Sequence, residues 1–285
     1  MEKPSYNIEA VYKEINTIDS YVGVTKQGGG TIEYINGSIR NYCPYDRKPQ
    51  GIGTCYDYHE MATSGVINLV EKLMKYGLDY DKLAEYAILF LSYKLNENPE
   101  YRRRKINDIY TKNIEKNMYY NQKIKGNGPT CKEILNRKKD LMNMNIKEIS
   151  NFNEAFNILC KLYNEINKKN LNCTKHSNYA ETFANKFEEL NNDSNINGNT
   201  SYSKLLSTLS DDYNNLINKC TNFPTLPKVK TPPSKLIPVL STFSVIPVFL
   251  GIAYKYSLFG VDKLFQRQYI RKKLKKVKKK LKLNI

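Results

Sequence analysis

Thiols and imidazoles have the widest chemical repertoire among side chains, and this 285-residue chain carries few of either. Its cysteines are Cys43, Cys55, Cys131, Cys160, Cys173 and Cys220, and its histidines are His59 and His176. Cys173 and His176 have the spacing of half a zinc site, but no second pair follows to complete a tetrahedral ligand set. Cys55 and His59 stand four apart, yet a thiol–imidazole pair needs a third group to orient the base, and none can be identified. No metal is therefore expected. Six thiols, an even number, are better suited to disulfides, which belong to oxidising compartments. Six cysteines allow 15 pairings, and sequence alone does not choose among them. Cys43–Cys55 and Cys160–Cys173 are each close enough to clip a local loop, so up to three bridges are expected. The alternative is a set of reduced structural thiols in a cytosolic domain.

Other catalytic patterns are missing. The segment 23–31, GVTKQGGGT, lacks the Gly-Lys-Ser/Thr ending of a phosphate loop. No GxSxG, HExxH or paired-carboxylate signature stands out. The chain is expected to be non-enzymatic and to need no cofactor. Arg102, Arg103, Arg104 and Lys105 open a helical segment, where positive charge opposes the macrodipole. Such a run is either a solvated face or a patch for an acidic partner such as a sialylated glycan or a phospholipid. Sequons at Asn36, Asn172, Asn192 and Asn199 carry little weight in a chain with 34 Asn.

The net charge of +17 is unevenly placed. Between Lys255 and Ile285 stand Lys255, Lys263, Arg267, Arg271, Lys272, Lys273, Lys275, Lys276, Lys278, Lys279, Lys280 and Lys282, against the single acid Asp262. That segment carries +11 and the preceding 254 residues +6. Immediately before it, residues 236–254 (LIPVLSTFSVIPVFLGIAY) hold no charge. As a helix at ~1.5 Å per residue they would cover about 28 Å, close to the hydrocarbon core. Pro238 and Pro247 are tolerated in membrane helices, and Tyr254 and Tyr256 stand where an interfacial aromatic belt would be. The expected bilayer partner is thus met by a single span; a buried core helix is the alternative reading. The positive-inside rule keeps the tail cytosolic and puts residues 1–235, with all six cysteines, on the other side. The N-terminus has no apolar run of the kind a cleaved signal needs, so the span would act as its own insertion signal.

Helical spacing dominates the part that must hold these residues in place. Ile8, Val11, Tyr12, Ile15 and Ile18 form one stripe; Val66, Ile67, Val70, Leu73 and Met74 form a second, ended by Gly77. Leu83 to Leu95 is the most apolar soluble stretch and the expected central helix, stopped at Asn98-Pro99. Ile106, Ile109, Tyr110, Ile114 and Met118 continue the pattern, and further helices are expected at about 130–142, 146–169, 178–191 and 202–219. No segment shows strand alternation, and residues 23–56 read as an irregular clipped loop. The fold class is therefore all-α: a disulfide-clipped bundle of roughly eight helices over 1–221, a Pro-rich stalk at 222–235, the transmembrane helix at 236–254 and a basic tail at 255–285. In the tail, Leu264, Ile270, Leu274, Val277 and Leu281 make an apolar stripe. This suits a helix lying on anionic inner-leaflet lipid; a solvated stop-transfer tail is the other reading. Nucleic acid is not expected as a partner, because the span stands beside the tail.

Several segments together resemble a known family. They are DIYTKNIEKNMYYN (108–121), CKEILNRKKDLMNMNIKEISNFNEAFNILCKLYNEI (131–166), FEELNND (187–193), SYSKLLSTLSDDYNNL (201–216), and the ending YKYSLFG (254–260) with RQYIRKKLKKVKKK (267–280). In this order, over nearly the whole chain, they are similar to the PIR (Plasmodium interspersed repeat) variant antigens of malaria parasites, especially the rodent-parasite branch. The resemblance implies a multigene family of transmembrane proteins of the infected erythrocyte. It further implies export toward the infected-cell surface or internal membranes, immune evasion, adhesion to a host receptor, and no enzymatic activity. An antibody or host receptor at the outer domain is the partner so implied. Exposed, variable segments are expected at 23–56 and 192–200. Related chains often carry a cysteine within their first few residues; this chain has Tyr6 and Tyr12 there instead. One of its six cysteines is therefore expected to be unpaired or paired anew. The competing reading is an intracellular membrane scaffold or trafficking adaptor whose basic tail recruits anionic lipid or cytoskeletal partners.

Overall fold

The computed structural model of the chain describes residues 6–46, 48–49, 51–114, 117–124, 126–167, 172–232 and 262–281. The chain divides into two compact units, Met1–Pro232 and Pro233–Ile285.

In the first unit, apolar spacing and caps set the helices. Helix α1, Ile8–Asp19, buries Ile8, Val11, Tyr12, Ile15 and Ile18, the stripe read from the sequence, and Asn7 caps it by accepting the Ala10 N–H at 3.2 Å. Helix α2, Tyr58–Leu73, is capped by Asp57, and helix α3, Tyr80–Glu97, by Asp79. Almost every residue of α3 from Leu83 to Leu95 is buried, including Glu85 and Lys94 among the apolar side chains. Next come α4 (Ile106–Ile109), α5 (Cys131–Asn136), α6 (Ile146–Asn167), α7 (Ser177–Asn192), α8 (Ser194–Asn197) and α9 (Thr200–Ile217). Helix α6 runs antiparallel to α1, since Tyr163 stacks on Tyr12 while Cys160 O accepts from Asn16. Helix α7 returns antiparallel along α6, with Lys186 reaching Asn151 and Glu154 and Lys161 lying over Tyr179.

Four helices meet at one buried carboxylate. Asp212 of α9 accepts from Tyr12 of α1 at 2.9 Å and from Tyr86 of α3 at 2.9 and 2.8 Å, and its main-chain oxygen accepts from Tyr163 of α6 at 2.7 Å. Burial drives its pKa up to about 7; the Lys82 charge and the two phenol bonds pull the other way without offsetting it. Two buried ion pairs flank this knot: Lys138–Glu85 at 2.7 Å, where Thr208 also donates to Glu85, and Lys94, held between Asp19 and Glu97.

The mostly helical body holds, but it is not all-α. Val22–Gln27 (β1) and Gly30–Ile35 (β2) form an antiparallel hairpin in the register Val22↔Ile35 to Gln27↔Gly30. Gly28 and Gly29, with φ of 58° and 83°, supply the left-handed turn that such a two-residue connection needs. Beyond Val22 and Gly23 both strands are half-buried or exposed, so the period-2 apolar signal is too short to read. The stripe from Ile106 to Met118 is not one helix either: α4 gives way to a π-helical turn, Tyr110–Ile114, and a 3₁₀ turn follows at Met118–Asn121. The segment expected at 130–142 divides into α5 and a 3₁₀ turn, Lys139–Asn143.

The cysteines form Cys43–Cys55 and Cys173–Cys220. The expected Cys160–Cys173 clip is thus corrected. Cys160 lies on the inward face of α6, whereas Cys173 sits at the surface loop opposite the end of α9. Cys160 and Cys131 are free and buried, so two bridges form, within the expected limit of three. Residues 222–232, the first part of the expected stalk, lie against the body, beginning in a turn where Phe223 N donates to Cys220 O at 3.0 Å. Phe223 is buried, Tyr213 donates to Pro224 O, and the Asn191 side chain donates to Lys228 O and accepts from Lys230 N. Four prolines in residues 222–235 encourage extension, but the amide of Asn191 docks the segment.

The span expected at 236–254 lies outside the described residues, and among those that are described no helix is long and apolar enough to cross a membrane. In the second unit Asp262–Leu281 is helical, with Ile270, Leu274 and Val277 exposed.

Candidate binding surface

One end of the body gathers the hairpin, the Cys43–Cys55 loop, the start of α2 and the turn after α3. Pro99 helps stop α3 at Asn98, and that residue then builds the turn. Its carbonyl accepts the N–H groups of Tyr101 and Arg102, both at 3.0 Å, and its side chain accepts from Glu100 N and donates to Glu33 on β2 at 2.6 Å. The buried Tyr101 ring packs against Tyr58 and His59, with centroids 6.2 and 5.6 Å away. On Tyr101 rests the Arg104 guanidinium, 5.0 Å from the ring centroid and 3.5 Å from Glu100. His59, Tyr101, Arg104, Asp108, Ile109 and Lys112 line a cleft of about 360 Å³.

Beside it the disulfide between Cys43 and Cys55 cross-links a finger. Within it Tyr45 and Thr54 exchange main-chain bonds at 3.2 and 2.7 Å, and Lys48 N donates to Ile52 O at 3.0 Å. A Cβ at Gly53 would fall 2.1 Å from Cys43 O, so only glycine fits there. The finger presents Tyr45 and Tyr56, 43% and 64% exposed, stacked with centroids 4.7 Å apart. Tyr56 N donates to Glu60, and the Glu60 charge raises the Tyr45 phenol above its ordinary pKa.

Asp57, His59 and Glu60 bring three possible metal-ligand atoms together. Their carboxylate oxygens already serve the start of α2: Asp57 accepts from Glu60 N at 2.9 Å and lies 2.7 Å from His59 Nδ1, while Glu60 accepts from Tyr56 N at 2.8 Å. This is a helix cap rather than a metal centre. Burial pushes the Cys131 and Cys160 thiols up in pKa, which leaves them unreactive as thiolates. The Arg102–Lys105 run is exposed, as its charge suggests. Of the segments expected to be exposed, 192–200 carries the buried Ile196, and 23–56 carries the buried Ile39, Cys43 and Cys55.

Of the basic tail residues, Arg267, Arg271, Lys272, Lys273, Lys275, Lys276 and Lys278 are exposed on the tail helix. Lys263, Lys279 and Lys280 lie within its range, and Lys255 and Lys282 lie outside the described residues. Sequence reasoning missed the paired tyrosines and the part of His59 and Lys112 in the cleft. Cys43 and Cys55 bracketing Tyr45 was the available sign of the first, and nothing local marked the second.

The family model described as Plasmodium variant antigen protein Cir/Yir/Bir matches residues 12–255. A solved structure described as a Plasmodium PIR protein ectodomain is 32% identical, with a TM-score of 0.57, over 78% of this chain and 100% of that one. No curated protein matches the chain.

Proposed function

The chain belongs to the Plasmodium variant antigen family Cir/Yir/Bir, and from this we propose that it is a membrane-anchored variant surface antigen displayed on, or exported toward, the infected red cell membrane. The observation that carries the reading is the likeness of the disulfide-closed body to a PIR ectodomain along that chain's full length. In this reading residues 236–254 cross the bilayer once, the body is extracytoplasmic and the C-terminus is cytosolic. Two features support that topology. All six cysteines precede the uncharged run, and the +11 tail follows it directly. The tail helix engages anionic inner-leaflet lipid through its basic residues, at ~1 kcal/mol for each one near the surface. Immune evasion follows from display of a body whose exposed loops tolerate change, and the stacked tyrosines provide a contact for a host receptor or antibody.

The disulfide state in infected cells tests the reading. Cells are lysed straight into denaturant with an alkylating reagent, and the peptides are mapped by mass spectrometry. Cys43–Cys55 and Cys173–Cys220 intact, with Cys131 and Cys160 alkylated, is the expected result. Alkylation of all six cysteines would assign the body to a reducing compartment and contradict the reading.

A further inference from the structure

The irregular segment after α3 coincides with the cleft. Ile106, Ile109, Tyr110 and Ile114 have the spacing of one continuous helix, yet the chain makes a single α turn and then a π turn. π turns recur at functional sites. Here Arg104, Asp108 and Lys112, successively four apart, share the cleft with His59 and Tyr101.

The charges fit one kind of ligand. The lining holds two cations, Arg104 and Lys112, against one acid, Asp108. Arg102, Arg103 and Lys105 add positive charge in the adjoining segment, and Glu100 and Asp57, paired with Arg104 and His59, stand against it. Arg104 is held from behind by the Tyr101 ring and at one edge by Glu100, which leaves guanidinium N–H donors for the cleft. Among the described residues Lys112 has no ion-pair partner. Asp108 opposes a compact polyanion, but it accepts hydroxyl donors. A cation, an acid and a second cation together match a molecule that carries an anionic group beside free hydroxyls.

We propose that this cleft binds an acidic saccharide, with a ring carboxylate or sulfate held by Arg104 and Lys112 and a neighbouring hydroxyl donating to Asp108. The volume lies at the lower end of small-ligand sites, enough for one or two sugar rings. This deepens the surface-antigen reading by giving the displayed body a ligand class to adhere to.

The test uses the full chain in a neutral detergent and saturation-transfer NMR with titration calorimetry. The probes are sialyllactose, a heparin-derived disaccharide, neutral lactose and soluble inositol trisphosphate. At least one acidic saccharide is expected to bind and lactose is not. Arg104→Gln and Lys112→Gln should each weaken binding roughly tenfold, the loss of one charge-assisted bond. Asp108→Asn should weaken it less, and Arg103→Gln, beside the cleft but not in it, should leave it unchanged. All four positions are exposed, so the variants keep the fold, and an unchanged melting curve verifies that. The basic tail is identical in every variant, so differences between them read the cleft alone. The inference is overturned if no acidic saccharide binds better than lactose, if Arg103→Gln weakens binding as much as Arg104→Gln does, or if only inositol trisphosphate binds. The last result would reassign the cleft to a lipid headgroup. None of these results bears on where the body is displayed, which disulfide state and protease access decide separately.

Discussion

The middle of the bundle and its hairpin end are held by opposite kinds of bond. In the middle, Asp212 is tied to Tyr163, Tyr86 and Tyr12, which are 49, 126 and 200 residues away in sequence. At the hairpin end local ties dominate: a disulfide across 12 residues, a two-glycine turn and a turn built by Asn98, to which the Asn98–Glu33 bond and the packing of Tyr101 on Tyr58 add longer-range contacts. Long-range bonds in a low-dielectric core fail together when one partner is lost. Local covalent and turn bonds hold shape while neighbouring exposed residues change.

The largest effect should come from removing the knot. Asp212→Ala leaves the Tyr12 and Tyr86 hydroxyls buried without an acceptor and opens a small void. Chemical denaturation is expected to show a loss of about 4 kcal/mol. A smaller loss than for an exposed residue would break the comparison at its root.

Acidity acts on the same residue. An unfolded aspartate titrates near 3.9 and folded Asp212 at about 7, so its pKa is raised on folding. Its contribution is fully present below pH ~4 and is lost as the pH rises through 7, a fall of a few kcal/mol in total. Wild-type denaturation midpoints should drop between pH 4.5 and 7.5 relative to those of Asp212→Asn, which cannot titrate. Parallel curves for the two proteins would mean that the carboxylate is already ionised or solvated.

Next in size is the second disulfide. Cys173→Ser with Cys220→Ser opens a 47-residue closure and should cost about 3 kcal/mol, read as a lower melting temperature with helical circular dichroism retained. Last come the exposed tyrosines. Tyr45→Ala with Tyr56→Ala should change stability by no more than about 0.5 kcal/mol, because their rings face solvent. A loss near 2 kcal/mol would show that the finger is part of the core and that the two regions are not distinct.

What could be read in advance follows the same division. Helices α1, α3, α6 and α9 were legible because their buried faces repeat at helical spacing, and the central place of α3 follows from apolar residues on all its sides. The hairpin was not, because its strands bury little and leave no alternation; Gly28-Gly29 between β-branched residues was the sign that remained. The Cys43–Cys55 pair was among the short clips considered, whereas Cys173–Cys220 depends on α7 and α9 bringing distant ends together. The knot at Asp212 was illegible for that reason too, since an aspartate between polar neighbours in α9 carries no local sign of three tyrosines on other helices. The cleft was half visible: the Arg102–Lys105 charge run stands out, but nothing local shows that His59 of α2 packs beside it.

The central proposal is that the body is displayed on the infected red cell, with its tail on the cytosolic side. Surface proteolysis of intact infected red cells tests it most directly, with one antibody to residues 60–120 and another to the tail. Loss of the 60–120 epitope with survival of a short tail fragment is the predicted result. Protection of both epitopes in intact cells, with cleavage only after permeabilisation, would contradict it.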